Sequence, residues 1–360
     1  MSTTPDPATV ATADDPVAGY ASPLLALPGA VAAEGLDAGV AWHYGDPVKE
    51  QRALLDGSAV TDLSHRGLLR ISGPDRLTWL NSVTTQLLTD LVAGQSRETL
   101  VLSPHGHVEH ALQVTDDGQA CWVSVEPGTV AALANWLRSM QFMLRVHVDD
   151  VSDEWAALGM VAEPPGLLHT DGAPPVWVDP WPRPGVDTRC YSGVPDDEHP
   201  GLARPWRQVW VPRSRLVEVV AGVTVAGSWA AEALRVAAWR PRLGAETDHR
   251  TIPHELDWLR TALHLNKGCY RGQETVARVV NLGRPPRRLV MLHLDGSEHT
   301  LPPSGSAVQA GGRDVGRVTT SARHHELGPV ALAVVKRSLP VSEPLQVAGI
   351  AAAQEVVVAP

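Results

Sequence analysis

The chain has 360 residues, with 30 basic and 40 acidic side chains and a formal net charge of −10. That length allows roughly two to three domains, no run nears the roughly 18–20 uninterrupted apolar residues of a spanning helix, and the acidic balance argues against a protein whose main affinity is for a phosphate backbone. Three dispersed cysteines, Cys121, Cys190 and Cys269, supply neither a disulfide framework nor a four-thiolate metal set, and residues 1–16 lack a basic stretch followed by an apolar one, so the chain reads as soluble and cytoplasmic.

Residues 1–22 are rich in Thr, Pro, Asp and Ala, which predicts a disordered tail, with order setting in near Val40. Asp46 before Pro47 is an N-cap followed by proline at the first helical position. That helix runs to about Leu55 and stops at Gly57. Residues 67–72 (GLLRIS) read as a strand, broken by Gly73-Pro74-Asp75, which opens a helix carrying Leu77, Trp79 and Leu80. Residues 99–115 form two strands joined at 103–106, and the turn Asp116-Asp117-Gly118 leads to a strand at 120–125. Residues 129–140 have helical spacing, and 146–151 and 155–161 read as strands. The Pro- and Gly-rich stretch 164–205 is loop with a short edge strand, followed by a strand at 209–212. Ser228 caps a helix over 229–239, and 254–263 is another helix. After Gly283-Arg284-Pro285-Pro286, short apolar strands between turns predict a small all-β barrel. Strands and helices mixed ahead of it make the body α+β.

The most singular stretch is 265–279, LNKGCYRGQETVARV. It gathers one of three lysines, one of three cysteines and one of four tyrosines around two glycines. Glycine lets a backbone approach a ligand closely. Lys267 and Arg271 flank Cys269 with positive charge, which favours a thiolate. Arg278 follows Glu274 by one helical turn. His105, His107 and His110 lie on one hairpin, but a strand puts His110 on the opposite face from the other two, so no metal is expected. GxGxxG, Walker A and GxSxG patterns are absent. Trp229 and Trp239 stand on one predicted helix and read as core anchors.

At 267–274 the sequence KGCYRGQE resembles the signature of the YgfZ-type folate-binding family, which is related to the glycine cleavage T-protein, an aminomethyltransferase. All seven fixed positions are met, by Lys267, Gly268, Cys269, Tyr270, Gly272, Gln273 and Glu274. Residues 62–86, the hairpin, 240–255 and 316–321 resemble the same superfamily, so the likeness runs from about Val40 to the C-terminus. It implies an α+β, T-protein-like ring of three subdomains around a central hole that holds tetrahydrofolate. Two intertwined subdomains would span 23–284, and the C-terminal β-barrel 285–360. It also implies an accessory role in iron–sulfur cluster assembly or repair, with client enzymes that include transfer-RNA methylthiolases, without direct contact to nucleic acid or membrane. Cys269 would be the functional thiol and the other six signature residues would shape its surroundings. Gln208, Arg235, Glu255 and Arg278 would contact the folate.

Three departures bear on activity. The T-protein carries an Asp-Asp pair after the hairpin turn, where this chain has Glu109-His110 or His110-Ala111. A T-protein glutamate that reads the pterin falls at about Gln208. The family's Arg-x-Glu-Ala-Gly reads Arg235-Val236-Ala237-Ala238-Trp239. The alternatives are a tetrahydrofolate-dependent aminomethyltransferase, methyltransferase or demethylase, and a scaffold that binds no folate.

Overall fold

Strands and helices alternate as the sequence indicates, and they assemble into two five-stranded sheets, a two-stranded ribbon and a closed barrel. The computed structural model describes residues 19–168, 170–298 and 300–360. Residues 1–18 of the expected tail lie outside the described residues. The end of that segment is packed: the Tyr20 hydroxyl donates to Ser64 Oγ at 2.7 Å, and the Arg213 guanidinium sits 4.4 Å from the Tyr20 ring. Ser22 caps the turn Pro23–Ala26. Order therefore sets in well before Val40, because a tyrosine face and a capping hydroxyl suffice to hold an otherwise weakly apolar segment.

One sheet runs in the order Ser96–Leu102, Val108–Asp116, Ala120–Val125, Gly67–Ser72, His147–Asp150, antiparallel throughout. The other runs Trp177–Val178, Arg207–Pro212, Trp155–Met160, Ala59–Asp62, Thr224–Ala226, with only the last pair parallel. The first sheet, built from residues 67–150, is thus nested in sequence inside the second, so the second is assembled from two separated stretches of chain. The barrel closes in the order Arg287–Leu294, Gly328–Lys336, Arg313–His324, Ala307–Ala310, Leu345–Val347, Ile350–Val356. Its interior has an apolar core of its own, built on Val290, Leu292, Val318 and Ala333. A second core, with Trp181, Trp239, Trp258 and Leu289, joins the barrel to the body.

The helix Pro47–Leu55 begins as read, with Asp46 Oδ1 accepting the Lys49 N–H at 3.0 Å. Two other helices differ. Ser228 does not cap: Gly227 holds the N-cap position, Ser228 is the first helical residue and its hydroxyl is buried without a partner. Residues 254–263 form two one-turn pieces, Pro253–Leu256 and Leu259–Ala262, instead of one helix. Asp257 between them adopts the left-handed region at φ +53°. Its carboxylate accepts the Tyr191 N–H and pairs with Arg260 Nε at 2.6 Å. A helical pattern cannot reveal such a break, since aspartate tolerates this conformation when its side chain is hydrogen-bonded.

Candidate functional site

The signature loop has an anchored base and an exposed tip. Lys267 is buried, and its ammonium donates to three backbone carbonyls, those of Asn81, of Thr84 at 2.5 Å and of Gln86 at 3.0 Å. These groups lie where the helix Arg76–Val83 ends, a region whose carbonyls lack helical partners. Burial pulls the Lys267 amine down to about 8, and its Nζ lies 5.3 Å from the Tyr270 ring centroid. Lys267 therefore holds the loop to the body. Tyr270 is buried in the joining core. Cys269 between them is exposed, whereas Cys121 is buried and Cys190 half-buried.

Gly272 is required by space and by conformation. Its φ is +83°, and an added Cβ would lie 2.6 Å from the Ser103 carbonyl oxygen. The hairpin turn thereby touches the start of the helix Gln273–Leu282. Glu274 is in its exposed first turn, where a carboxylate complements the helix dipole. Arg271 pairs with Glu109 at 2.8 Å, both partly exposed. Glu109 is in one of the two registers that the resemblance allows for the T-protein acid pair, and its ion pair commits it to the signature loop. His110, next to it, has an unpartnered buried Nδ1, and burial followed by the Arg271 charge pulls its imidazole down to about 4. Among the described residues, no group of three or more His, Cys, Asp and Glu is placed to hold a metal ion.

The four expected folate contacts separate. Gln208 and Arg235 line a central cavity between the two sheets and the loop after residue 237. Glu255 is buried and held by Arg287 Nε at 2.8 Å and Nη2 at 2.7 Å, away from that lining. Arg278 is exposed on the signature helix.

Sequence reasoning missed what fills the cavity, namely four further arginines, Arg66, Arg204, Arg240 and Arg242. Arg240 reaches Glu98 at 2.6 Å and Asp179 at 3.0 Å. Arg242 joins Asp37 at 2.8 Å and Glu126 at 2.7 Å. Arg235 bridges Glu232 and Glu246 and also donates to Thr320 of the barrel at 3.0 Å. The chain enters this cluster through a Schellman-type helix end: Arg240 N–H bonds the Arg235 carbonyl, and Trp239 N–H that of Val236. Trp239 takes the left-handed position, φ +56°, the place that glycine usually fills in such a helix end. Its indole fills the joining core at 1% exposure, 5.2 Å from the His199 ring.

A family profile described as the GCVT N-terminal domain matches residues 27–162. A second, described as the CAF17 C-terminal beta-barrel domain, matches residues 287–358. The chain belongs to the YgfZ/CAF17 family. Relatives include a chloroplastic protein of Arabidopsis thaliana, 27% identical over 74% of this chain and 62% of that protein. The aminomethyltransferase of Streptomyces coelicolor is 26% identical over 81% of this chain and 82% of its own length. The structure of aminomethyltransferase T from Bartonella henselae superposes with a TM-score of 0.71 at 20% identity, over 92% of this chain and 93% of that one. The ring-plus-barrel fold expected from the signature is thus the fold of this chain.

Whether the cavity suits the tetrahydrofolate of that family turns on two observations. Its free volume is about 50 Å³, while pockets for drug-sized ligands hold about 300–1,000 Å³. The buried polar atoms left without partners in its lining are Arg66 Nε and Nη1, Arg204 Nε, Arg240 Nη1 and one acceptor, Gln113 Oε1. Those four donor nitrogens would suit only the folate's acceptors, its ring carbonyl and glutamate carboxylates, and leave one free acceptor for the donating amino and N–H edge of the pterin. The residues as packed do not fit the folate.

Proposed function

We propose that this protein is an accessory factor for the assembly or repair of iron–sulfur clusters in client enzymes, transfer-RNA methylthiolases among them, with Cys269 as its working thiol. The exposure of Cys269 between two buried anchors, Lys267 and Tyr270, carries the reading. A thiol that only packed would be placed as Cys121 is. With three dispersed cysteines the chain supplies at most one thiolate at this surface, so a cluster handled here is shared with the client.

Tetrahydrofolate, the ligand the family implies, would need the arginine cluster to open, and no step of this reading runs through it. The runner-up, a folate-dependent aminomethyl- or methyltransferase or demethylase, draws support from the aminomethyltransferase relatives, but Glu109, the acid near the hairpin turn, is ion-paired. Replacing Cys269 with alanine in cells that depend on this protein is expected to lower methylthiolase activity at unchanged protein level. Methylene-tetrahydrofolate formed above background from purified protein, tetrahydrofolate and a methylamine donor would favour the runner-up instead.

A further inference from the structure

The central cavity has a chemistry of its own. Three guanidiniums from separate segments, Arg66, Arg204 and Arg240, face it with four partnerless donor nitrogens against one partnerless acceptor. Arg204 is the least compensated. It is 8% exposed, its nearest carboxylate, that of Asp179, is 3.8 Å away, and its other support is the Trp206 ring at 3.9 Å. Burial, with Arg240 and Arg235 adding repulsion, pulls it down to about 9 despite Asp179. Buried guanidiniums with unmet donors are costly unless an acceptor meets them. One water needs about 10–15 Å³ of such space, so about 50 Å³ accommodates a ligand of a few heavy atoms.

We propose that the central cavity binds a small oxyanion of carboxylate or phosphate size, gripped by Arg204, Arg66 and Arg240, in place of the folate its fold family takes. Guanidinium forks match planar and tetrahedral oxyanions bidentately. Gln208, in the same lining, is neutral and adds no charge of its own. The lining carboxylates Glu98, Asp179 and Glu126 are taken up by Arg240 and Arg242, and a bound anion would meet the donor nitrogens they leave free.

The test uses the full chain and measures the unfolding temperature against formate, acetate or inorganic phosphate, at ionic strength held constant with chloride. A ligand that binds only the folded state raises that temperature saturably. The expected result is a saturable rise of several degrees with at least one of the three probes and none with chloride. Gln208→Glu is expected to raise the temperature without any anion and to abolish the response, while Arg204→Gln weakens half-saturation at least tenfold. If Arg204→Gln does not fold, Arg66→Gln takes its place. An equal, unsaturable rise with every salt, or an unchanged response in Gln208→Glu, would overturn the proposal. So would tryptophan quenching by micromolar tetrahydrofolate that formate does not reverse. None of these outcomes touches the reading of Cys269, which the client assay tests separately.

Discussion

The signature loop and the central cavity differ in almost every physical respect. The loop is singular in sequence, and its cysteine is exposed between a lysine and a tyrosine that fix its base. The cavity is built from arginine, an abundant residue in this chain, and buries five guanidiniums with the acids that pair them. The tip of the loop can change without loss of the fold, because Cys269 is exposed and the Arg271–Glu109 pair is partly exposed. The cavity cannot, because each charge removed strands another in a low-dielectric interior.

The largest expected effect is at Arg242. Replacing it with methionine leaves the Asp37 and Glu126 carboxylates buried without that partner. A loss of about 3–5 kcal/mol, the cost of breaking a buried pair from one side, should appear in urea denaturation; a loss below about 1 kcal/mol would mean the cluster is not a stability element.

Trp239 gives an ordering that ordinary core residues do not. Removing its indole is expected to cost about 3–5 kcal/mol, yet Trp239→Gly should be more stable than Trp239→Ala by about 1 kcal/mol, since glycine adopts the left-handed position freely. Equal stabilities would show that the helix end relaxes when the indole goes.

His254, on the Pro253–Leu256 turn, braces the signature helix, since its Nε2–H donates to the carbonyl of Val276 at 3.3 Å. Burial pulls its imidazole down to about 4, against about 6.5 in an unfolded chain. Between those values the unfolded state binds more protons, so stability falls as pH drops from about 6.5 towards 4. His254→Gln keeps a donor and loses the titration, and its denaturation midpoint should fall less steeply with acid, by up to about 1.4 kcal/mol per pH unit. Parallel slopes would show that this imidazole titrates alike in the folded and unfolded chain. The smallest effect belongs to the loop: Glu109→Gln breaks a half-exposed pair and should cost less than about 1 kcal/mol, again by urea denaturation. A larger loss would make that pair a structural clamp.

Local chemistry was the legible part. The Asp46-Pro47 start, the glycine turns and the alternation of the barrel strands all act within a few residues, and each appears where the sequence puts it. The break at Asp257 was not legible, because it depends on a carboxylate held by Tyr191 and Arg260. The cavity was legible only at Gln208 and Arg235. Arg242 meets Glu126 across 116 positions and Asp37 across 205, and no local pattern joins such residues. Lys267 stood out by rarity, but its partners are main-chain carbonyls, which side-chain patterns do not show.

The central claim is that function resides in the exposed thiol of the loop, and methylthiolase activity in cells expressing Cys269→Ala, with half-buried Cys190→Ala as the control, tests it most directly. The account predicts that activity is lost with the first variant and kept with the second at equal protein levels. Activity kept in Cys269→Ala would contradict it.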